Sequence, residues 1–153
     1  MKSNILLLLF VLISCHQSFS QEKSEEEAVK ATINRLFDGM RNSDTTLIRN
    51  AFAAKHTMET ITKTKDGKFV VRSENVNDFI KSVGAPHTEK YDERIVFKSI
   101  RIDANLASVW TDYKFYVGDQ FSHCGVNSFQ LFKTEDGWKI IYIIDTRRKE
   151  NCN

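Results

Sequence analysis

The last third of the chain, residues 105–148, constrains the fold most strongly, because it predicts three consecutive antiparallel strands. The segments are rich in Val, Ile, Phe, Tyr and Trp, which suit a pleated, half-buried surface, and they occupy residues 107–117, 126–132 and 138–144. Gly118-Asp119 and Asp136-Gly137 separate them, and Gly supplies the positive φ of a tight turn at little steric cost. We therefore expect a curved, half-buried antiparallel sheet.

Two helices are predicted before this sheet. Apolar residues recur at three- and four-residue spacing along residues 26–41 and place one apolar stripe on a helix, namely Val29, Ile33, Leu36, Phe37 and Met40. Ser43-Asp44 then offers an N-cap for a short second helix through residues 47–52. Together these segments predict a helical hairpin.

The middle of the chain predicts a small β-hairpin followed by a third helix. Residues 57–63 and 68–72 flank the turn Asp66-Gly67. Ser73 offers an N-cap for a helix over residues 76–83, which Gly84 and Pro86 would end. Residues 91–102 alternate through Ile95, Phe97, Ile100 and Ile102 and predict a first long strand before the other three.

This order of elements predicts an α+β fold, in which about three N-terminal helices cover a cone-shaped, curved antiparallel sheet. Residues 21–153 suffice for a single domain with its own core and leave no room for a second one. Eleven Phe and one Pro in the chain indicate an aromatic interior with few rigid linkers.

Residues 1–20 predict an export signal rather than part of the fold. Met1-Lys2 is a short positive start, residues 5–13 are continuously apolar but too few to span a bilayer, and Ser18-Phe19-Ser20 resembles a cleavage site. Residues 12–15 also resemble a lipobox in which Cys15 would be lipidated, although the apolar run ends early for one. Either alternative predicts an exported protein, periplasmic or extracellular in the first case and membrane-anchored in the second.

Charge and ligand spacing argue against several classes of partner. The formal net charge is +2, and no basic stripe is interleaved with aromatic residues, so we do not expect nucleic-acid binding. His56 and His87 lie in predicted connections without companion ligands at metal spacing. We therefore predict neither a metal site nor a cofactor.

The cysteines predict a disulfide. Removal of the signal leaves Cys124 and Cys152, an even pair in an oxidising compartment. If Asp136-Gly137 forms the hairpin turn, residue 124 lies opposite residue 148 or 149, and a short tail can bring Cys152 within bridging distance. The alternative is two free thiols on a mobile tail.

Several segments resemble the nuclear transport factor 2-like, cystatin-like superfamily, and the resemblance covers residues 25–148. The relevant stretches are Leu36-Phe37-Asp38-Gly39-Met40, Asn50-Ala51-Phe52 and Asp136-Gly137-Trp138-Lys139-Ile140, which look like the SnoaL-like and lumazine-binding bacterial branches. That superfamily includes ketosteroid isomerases, scytalone dehydratases, polyketide cyclases, small-molecule binders and association modules. The resemblance also implies a homodimer packed through the outer face of the sheet.

The isomerases of this superfamily use a carboxylate base with a Tyr and a protonated Asp in an apolar cone. Here Asp112 and Asp145 are the candidate paired carboxylates, and Tyr113 or Tyr116 the candidate oxyanion donor. No first-helix Tyr matches the isomerase pattern. His123 is a candidate proton carrier if it faces inward. The candidate ligand-binding set is Trp110, Asp112, Tyr113, Tyr116, His123, Asn127 and Asp145.

Each candidate has a structural alternative. Asp145, close to Arg147, is more typical of an ion-paired or turn-capping group at a strand end. Trp110 and Trp138 are more typical of core anchors. Which residues face the interior depends on strand register, because a shift of one residue exchanges the two faces.

We therefore expect an exported cone-shaped domain that binds a small, largely apolar molecule or a partner chain. The alternative is an isomerase-, dehydratase- or cyclase-like enzyme that uses a pocket carboxylate and a Tyr. A cone filled by its own Phe and Trp side chains would instead favour association through the surface.

Overall fold

The computed structural model describes residues 3–152, with side chains for residues 23–152. The helices are α1 (Ser3–Asn42), α2 (Thr45–Ala51) and α3 (Val76–Gly84). The strands are β1 (Phe52–Lys63), β2 (Phe69–Glu74), β3 (Tyr91–Asp103), β4 (Leu106–Val117), β5 (Gln120–Thr134) and β6 (Gly137–Thr146). The predicted export signal, residues 1–20, lies outside the residues whose side chains are described. Within the described part, none of the helices has the length and apolar character needed to cross a membrane.

Helices α1 and α2 form the predicted helical hairpin. The Asp44 carboxylate caps α2 by accepting hydrogen bonds from the backbone N–H groups of Thr46 (2.9 Å) and Leu47 (3.0 Å). A Cβ on Gly39 would lie 2.6 Å from Ile48 Cγ1, so the absence of a side chain there lets the two helices pack closely.

The N-cap of α3 differs from the prediction. Asn75, not Ser73, accepts hydrogen bonds from the first N–H groups of the helix, those of Asn77 and Asp78. Strand β2 continues to Glu74, which keeps Ser73 within the hairpin, where its hydroxyl donates to Glu59 Oε1 at 3.1 Å. The cap therefore moves two residues along the chain.

One six-stranded sheet has the order β2-β1-β6-β5-β4-β3. The predicted α+β class is confirmed, and the sheet is curved but unclosed, with β2 and β3 at its edges. The pairing of β1 with β6 is parallel, and the other four pairings are antiparallel. Register shifts at Phe97/Ser99, Phe115/Tyr116 and Gln130/Leu131 interrupt the long strands, and such bulges bend a sheet.

The β4–β5 turn is tighter than the predicted strand bounds suggested. Val117 pairs with Gln120 across Gly118-Asp119, so β5 begins six residues before the predicted start at residue 126. This extension places His123 and Cys124 within the sheet.

The core lies between the helices and the concave face of the sheet. Its largest fully buried side chains come from both layers, including Val29, Ile33 and Ile48 on the helices and Val109, Phe129, Leu131 and Ile140 on the strands. Trp138 is 3% exposed, as predicted for a core anchor, and its indole N–H donates to Glu25 Oε2 at 2.9 Å. The same prediction is wrong for Trp110. Strand alternation turns its side chain to the outer face of the sheet, where it is 44% exposed.

The structure contains the predicted disulfide between Cys124 and Cys152, with Cα atoms 5.8 Å apart. Cys124 and Arg148 exchange both backbone hydrogen bonds, each 2.9 Å long. The predicted register opposite residue 148 is therefore confirmed. The bridge fixes the C-terminal tail against the first half of β5.

Candidate functional site

A cavity of about 230 Å³ lies between helices α1 and α3 and the concave face of the sheet. One wall is apolar, formed by Leu36, Phe37, Met40, Met58, Phe79, Val83, Phe115 and Ile143. Glu59, Ser82 and Tyr91 also line the cavity. A polar group of six residues, joined in part by hydrogen bonds, completes the lining: Glu74, Glu93, His123, Asn127, Asp145 and Arg147. We call these six residues the polar end. The cone is thus not completely filled by its own aromatic side chains.

Strand alternation decides which candidate residues reach this cavity. Along β4 the buried positions are Ala107, Val109, Thr111 and Tyr113, and Phe115 lines the cavity. Residues at even positions of the same strand point to the outer face, because successive side chains of a strand alternate. Of the predicted ligand-binding residues, the structure brings His123, Asn127 and Asp145 to the cavity wall.

Three predicted site residues lie away from the cavity. Asp112 pairs with Lys98 at 3.1 Å, and Trp110 is largely exposed. Tyr116 stacks beneath Arg94, with 4.2 Å between the guanidinium carbon and the ring centroid, and also contacts Phe121. The structure therefore does not pair Asp112 with Asp145.

Tyr113 joins the site indirectly. Its side chain is 3% exposed, and its hydroxyl lies 3.0 Å from Asp145 Oδ2 and 2.9 Å from the Thr146 carbonyl oxygen, with both atoms as acceptors. Burial, with the charge of Asp145, raises the pKa of Tyr113, so its hydroxyl stays protonated. The one hydroxyl hydrogen of Tyr113 is therefore shared between Asp145 Oδ2 and the Thr146 carbonyl oxygen.

Gly125 makes this arrangement sterically possible. It is the cross-strand partner of Tyr113, whose Cε1 would lie 2.7 Å from a Cβ at position 125. The same Cβ would overlap the carbonyl oxygen of Thr146. The missing side chain therefore lets the Tyr113 ring cross β5 toward Asp145.

Asp145 also connects to charged groups at the edge of the cavity. Arg147 Nε donates to Asp145 Oδ2 at 2.9 Å, and Arg147 Nη2 donates to Glu74 Oε1 at 3.3 Å. The ion pair that the sequence suggested for Asp145 is present, yet this carboxylate also lines the cavity. The ion pair therefore does not keep Asp145 away from the cavity.

Glu93 is a cavity residue that sequence reasoning missed. It accepts a hydrogen bond from Asn127 Nδ2 at 2.9 Å, and Asn127 also donates to Thr111 Oγ1 at 3.3 Å. Burial raises the pKa of Glu93 to about 7, and the neighbouring Asp145 charge adds to this effect. The available signal was its position in β3, because Glu93 shares the alternating face of Ile95 and Phe97.

His123 packs between aromatic rings, with ring centroids 5.7 Å from Tyr113 and 5.1 Å from Phe115. Burial lowers its pKa, and the positive charge of Arg147 lowers it further, so the neutral imidazole is favoured. One ring nitrogen, Nδ1, lies 3.0 Å from the Ser122 hydroxyl. His123 therefore contributes shape and a neutral polar surface rather than charge.

Across residues 23–152, we find no group of three or more His, Cys, Asp or Glu side chains arranged to hold a metal ion. The polar end can accept and donate hydrogen bonds, and Glu93 can exchange a proton near neutral pH.

Comparison with known families agrees with this architecture. Residues 24–143 match the model of a family described as "Putative lumazine-binding". The chain belongs to this family. The lumazine-binding family is nuclear transport factor 2-like, so the superfamily prediction is confirmed.

Solved structures with this fold include two nuclear transport factor 2-like proteins of unknown function. One, from Shewanella baltica, has a TM-score of 0.65 and 18% identity, over 83% of this chain and 96% of its own. The other, from Silicibacter pomeroyi, has a TM-score of 0.63 and 16% identity, over 83% and 98%.

A cystatin-like domain of unknown function from Nostoc punctiforme has a TM-score of 0.64 and 14% identity, over 84% of this chain and 80% of its own. Such low identities establish the fold alone. No curated protein shows significant sequence similarity to the chain.

Proposed function

We propose that the domain binds a small, largely apolar molecule in the cavity between α1, α3 and the sheet. The observation that carries this proposal is the division of the cavity into one apolar wall and one polar end. Ligand sites commonly combine an apolar lining with a few polar groups that fix orientation. The family's description, which names lumazine binding, also supports a small-molecule ligand.

Native mass spectrometry of protein purified from its own host tests this proposal by detecting a retained molecule. Ser82 is exposed and lines the cavity, so Ser82→Trp should obstruct the mouth and abolish retention without removing core contacts. Lys81→Trp, its neighbour on α3 and not part of the cavity lining, is the matched control. Equal retention by both variants would place the ligand elsewhere.

A proton-transfer enzyme is the second candidate, and Glu93 is the observation that favours it. A carboxyl group with a pKa of about 7 in an apolar cavity can act as a general acid or base at neutral pH. Binding remains the preferred function, because Tyr113 gives its hydrogen to protein acceptors and is not available as an oxyanion donor. If catalysis occurs, the retained molecule should gain non-exchangeable deuterium in D2O with wild-type protein but not with Glu93→Gln.

We also propose that the domain forms a homodimer through its outer sheet face, the surface opposite the helices. Leu106, Trp110 and Phe132 support this proposal, being 49%, 44% and 46% exposed, and Leu106 pairs directly with Phe132. Sedimentation should give a dimer that Trp110→Lys dissociates. Phe69→Lys, on the edge strand β2, should leave it intact, and a monomeric wild type would refute the proposal.

Export is the remaining part of the proposed function. The disulfide supports it, since such bonds persist in oxidising compartments. The mature chain is expected to begin at Gln21, which the intact mass of the native protein measures directly. A diacylated Cys15 at the N-terminus would instead make it a membrane-anchored lipoprotein.

A further inference from the structure

The polar end of the cavity has an excess of negative charge. Its acidic groups are Glu74, Glu93 and Asp145, and its one cationic side chain is Arg147, because His123 favours the neutral form. Arg147 contacts both Glu74 and Asp145, which leaves Glu93 without an ion-pair partner in the described part of the chain. Glu59 is a further acidic side chain in the cavity lining, and its carboxylate accepts hydrogen bonds from the neutral hydroxyls of Tyr142 and Ser73.

The polar end and the adjoining Tyr113 also leave hydrogen-bond acceptors without donors among the residues whose side chains the structure describes. Three donor side chains at this end already donate to protein atoms: Tyr113 and Arg147 to Asp145 Oδ2, and Asn127 to Glu93 Oε1. The other two carboxylate oxygens, Asp145 Oδ1 and Glu93 Oε2, receive no hydrogen bond from residues 23–152. The cavity therefore offers acceptors that need donors from a ligand or from water.

We propose that the cavity selects a ligand whose apolar body carries a protonated amine, which donates hydrogen bonds to Glu93 and Asp145. This inference rests on the proposed binding function and specifies its ligand class. A primary ammonium supplies several N–H donors and a positive charge, which matches both the unused acceptors and the excess charge. A ligand carboxylate at the same position would face like charges and is rejected.

Binding of the amine should strengthen with pH. The titratable and charged groups around Glu93 are Glu59 from β1, Glu74 from β2, Tyr91 from β3, Tyr113 from β4, His123 from β5, Asp145 from β6, and Arg147 just after β6. The lining residues from α1 and α3 contribute no titratable group: Leu36, Phe37, Met40, Phe79, Ser82 and Val83. Glu93 loses its proton near pH 7, so amine affinity should rise between pH 6 and pH 8, and binding should release a proton.

Isothermal titration calorimetry of the disulfide-bonded protein with three small compounds tests this inference. The compounds share a phenylalkyl body and differ in the polar group: 2-phenylethylamine, 2-phenylethanol and 3-phenylpropionate. At pH 8 the amine should bind about tenfold more tightly than the alcohol, as expected for a charge-assisted hydrogen bond, and the carboxylate most weakly.

The possible results separate the two proposals. Equal binding of amine and alcohol, or tighter binding of the carboxylate, would overturn the inference about the amine while leaving small-molecule binding intact. Absence of binding by all three compounds would count against both.

A pair of variants assigns the effect to Glu93. Glu93→Gln should remove the preference for the amine and its pH dependence while retaining 2-phenylethanol binding. Asp112→Asn removes one negative charge from the outer face, where Asp112 pairs with Lys98. This variant should keep both the preference for the amine and its pH dependence. An equal loss in both variants would indicate a general charge effect and refute the assignment.

The Glu93 carboxyl group can also be observed directly in the wild-type protein, so this test does not require a variant to fold. In a ¹³C NMR titration of the wild-type protein, 2-phenylethylamine should lower the pKa of Glu93, whereas 2-phenylethanol should not. An unchanged Glu93 titration with the amine bound would refute the contact.

Discussion

Replacement of Trp138 by Ala should destabilise the domain severely. The indole is 3% exposed at the start of β6, where Thr32 Oγ1 also donates to the Trp138 carbonyl oxygen at 3.1 Å. Truncating a buried Trp typically costs about 3–5 kcal/mol in cavity and transfer terms. Loss of the indole hydrogen bond to Glu25 adds little, because that carboxylate lies partly in solvent and can be rehydrated.

Thermal and urea denaturation followed by circular dichroism measure this cost. For a domain of this size, such a loss lowers the melting temperature by roughly 10–20 °C. Phe69→Ala is the control, because this aromatic side chain is 72% exposed on the edge strand β2, outside the proposed dimer face, and a change within about 1 kcal/mol is expected. Similar melting temperatures for the two variants would refute the assignment of Trp138 to the core.

Three further predictions concern the site and its supports. Gly125→Ala should cost about 3 kcal/mol or more in urea denaturation, because its Cβ overlaps the backbone carbonyl oxygen of Thr146 and also displaces the Tyr113 ring. Cys152→Ser should cost about 2–4 kcal/mol by the same measurement, and reductant should affect only the wild type. Glu93 has a pKa raised from 4.5 to about 7, so its contribution favours the folded state below pH 4.5 and is lost as pH rises toward 7. Glu93→Gln should therefore stabilise the protein by about 1–3 kcal/mol at pH 8 and by much less at pH 5, and a pH-independent difference would contradict the buried carboxyl group.

Features fixed by neighbouring residues could be predicted from the sequence. Asp44 caps α2. The chain turns between β5 and β6 at Glu135 and Asp136, one residue before the predicted Asp136-Gly137, and Gly137 pairs with Thr134. Of the two predicted positions opposite Cys124, residues 148 and 149, the structure has residue 148. The parallel pairing of β1 with β6 joins distant segments and has no local signature.

The composition of the site was less predictable, because it depends on which face each strand presents. Asp112 and Tyr113 are adjacent, yet one pairs with Lys98 on the outer face and the other contacts Asp145. Bulges at Phe97/Ser99 and Phe115/Tyr116 change the register within the strand pairs. The face of a residue at one end of a bulged strand therefore cannot be found by counting alternate residues from the other end. Glu93 was overlooked because only the apolar members of the β3 pattern were counted.

The disulfide has a consequence for how ligand specificity can change. Asn127, Asp145 and Arg147 lie between the two half-cystines and belong to one covalently closed loop, whereas much of the apolar wall comes from α1 and α3 outside it. Substitutions on those helices can therefore reshape the space for the ligand body, while the loop holds three of the six polar-end residues and the other three, Glu74, Glu93 and His123, stay on the strands of the sheet. Recognition of ligand size and recognition of its charged group are thus carried by separate parts of the chain, which can be altered independently.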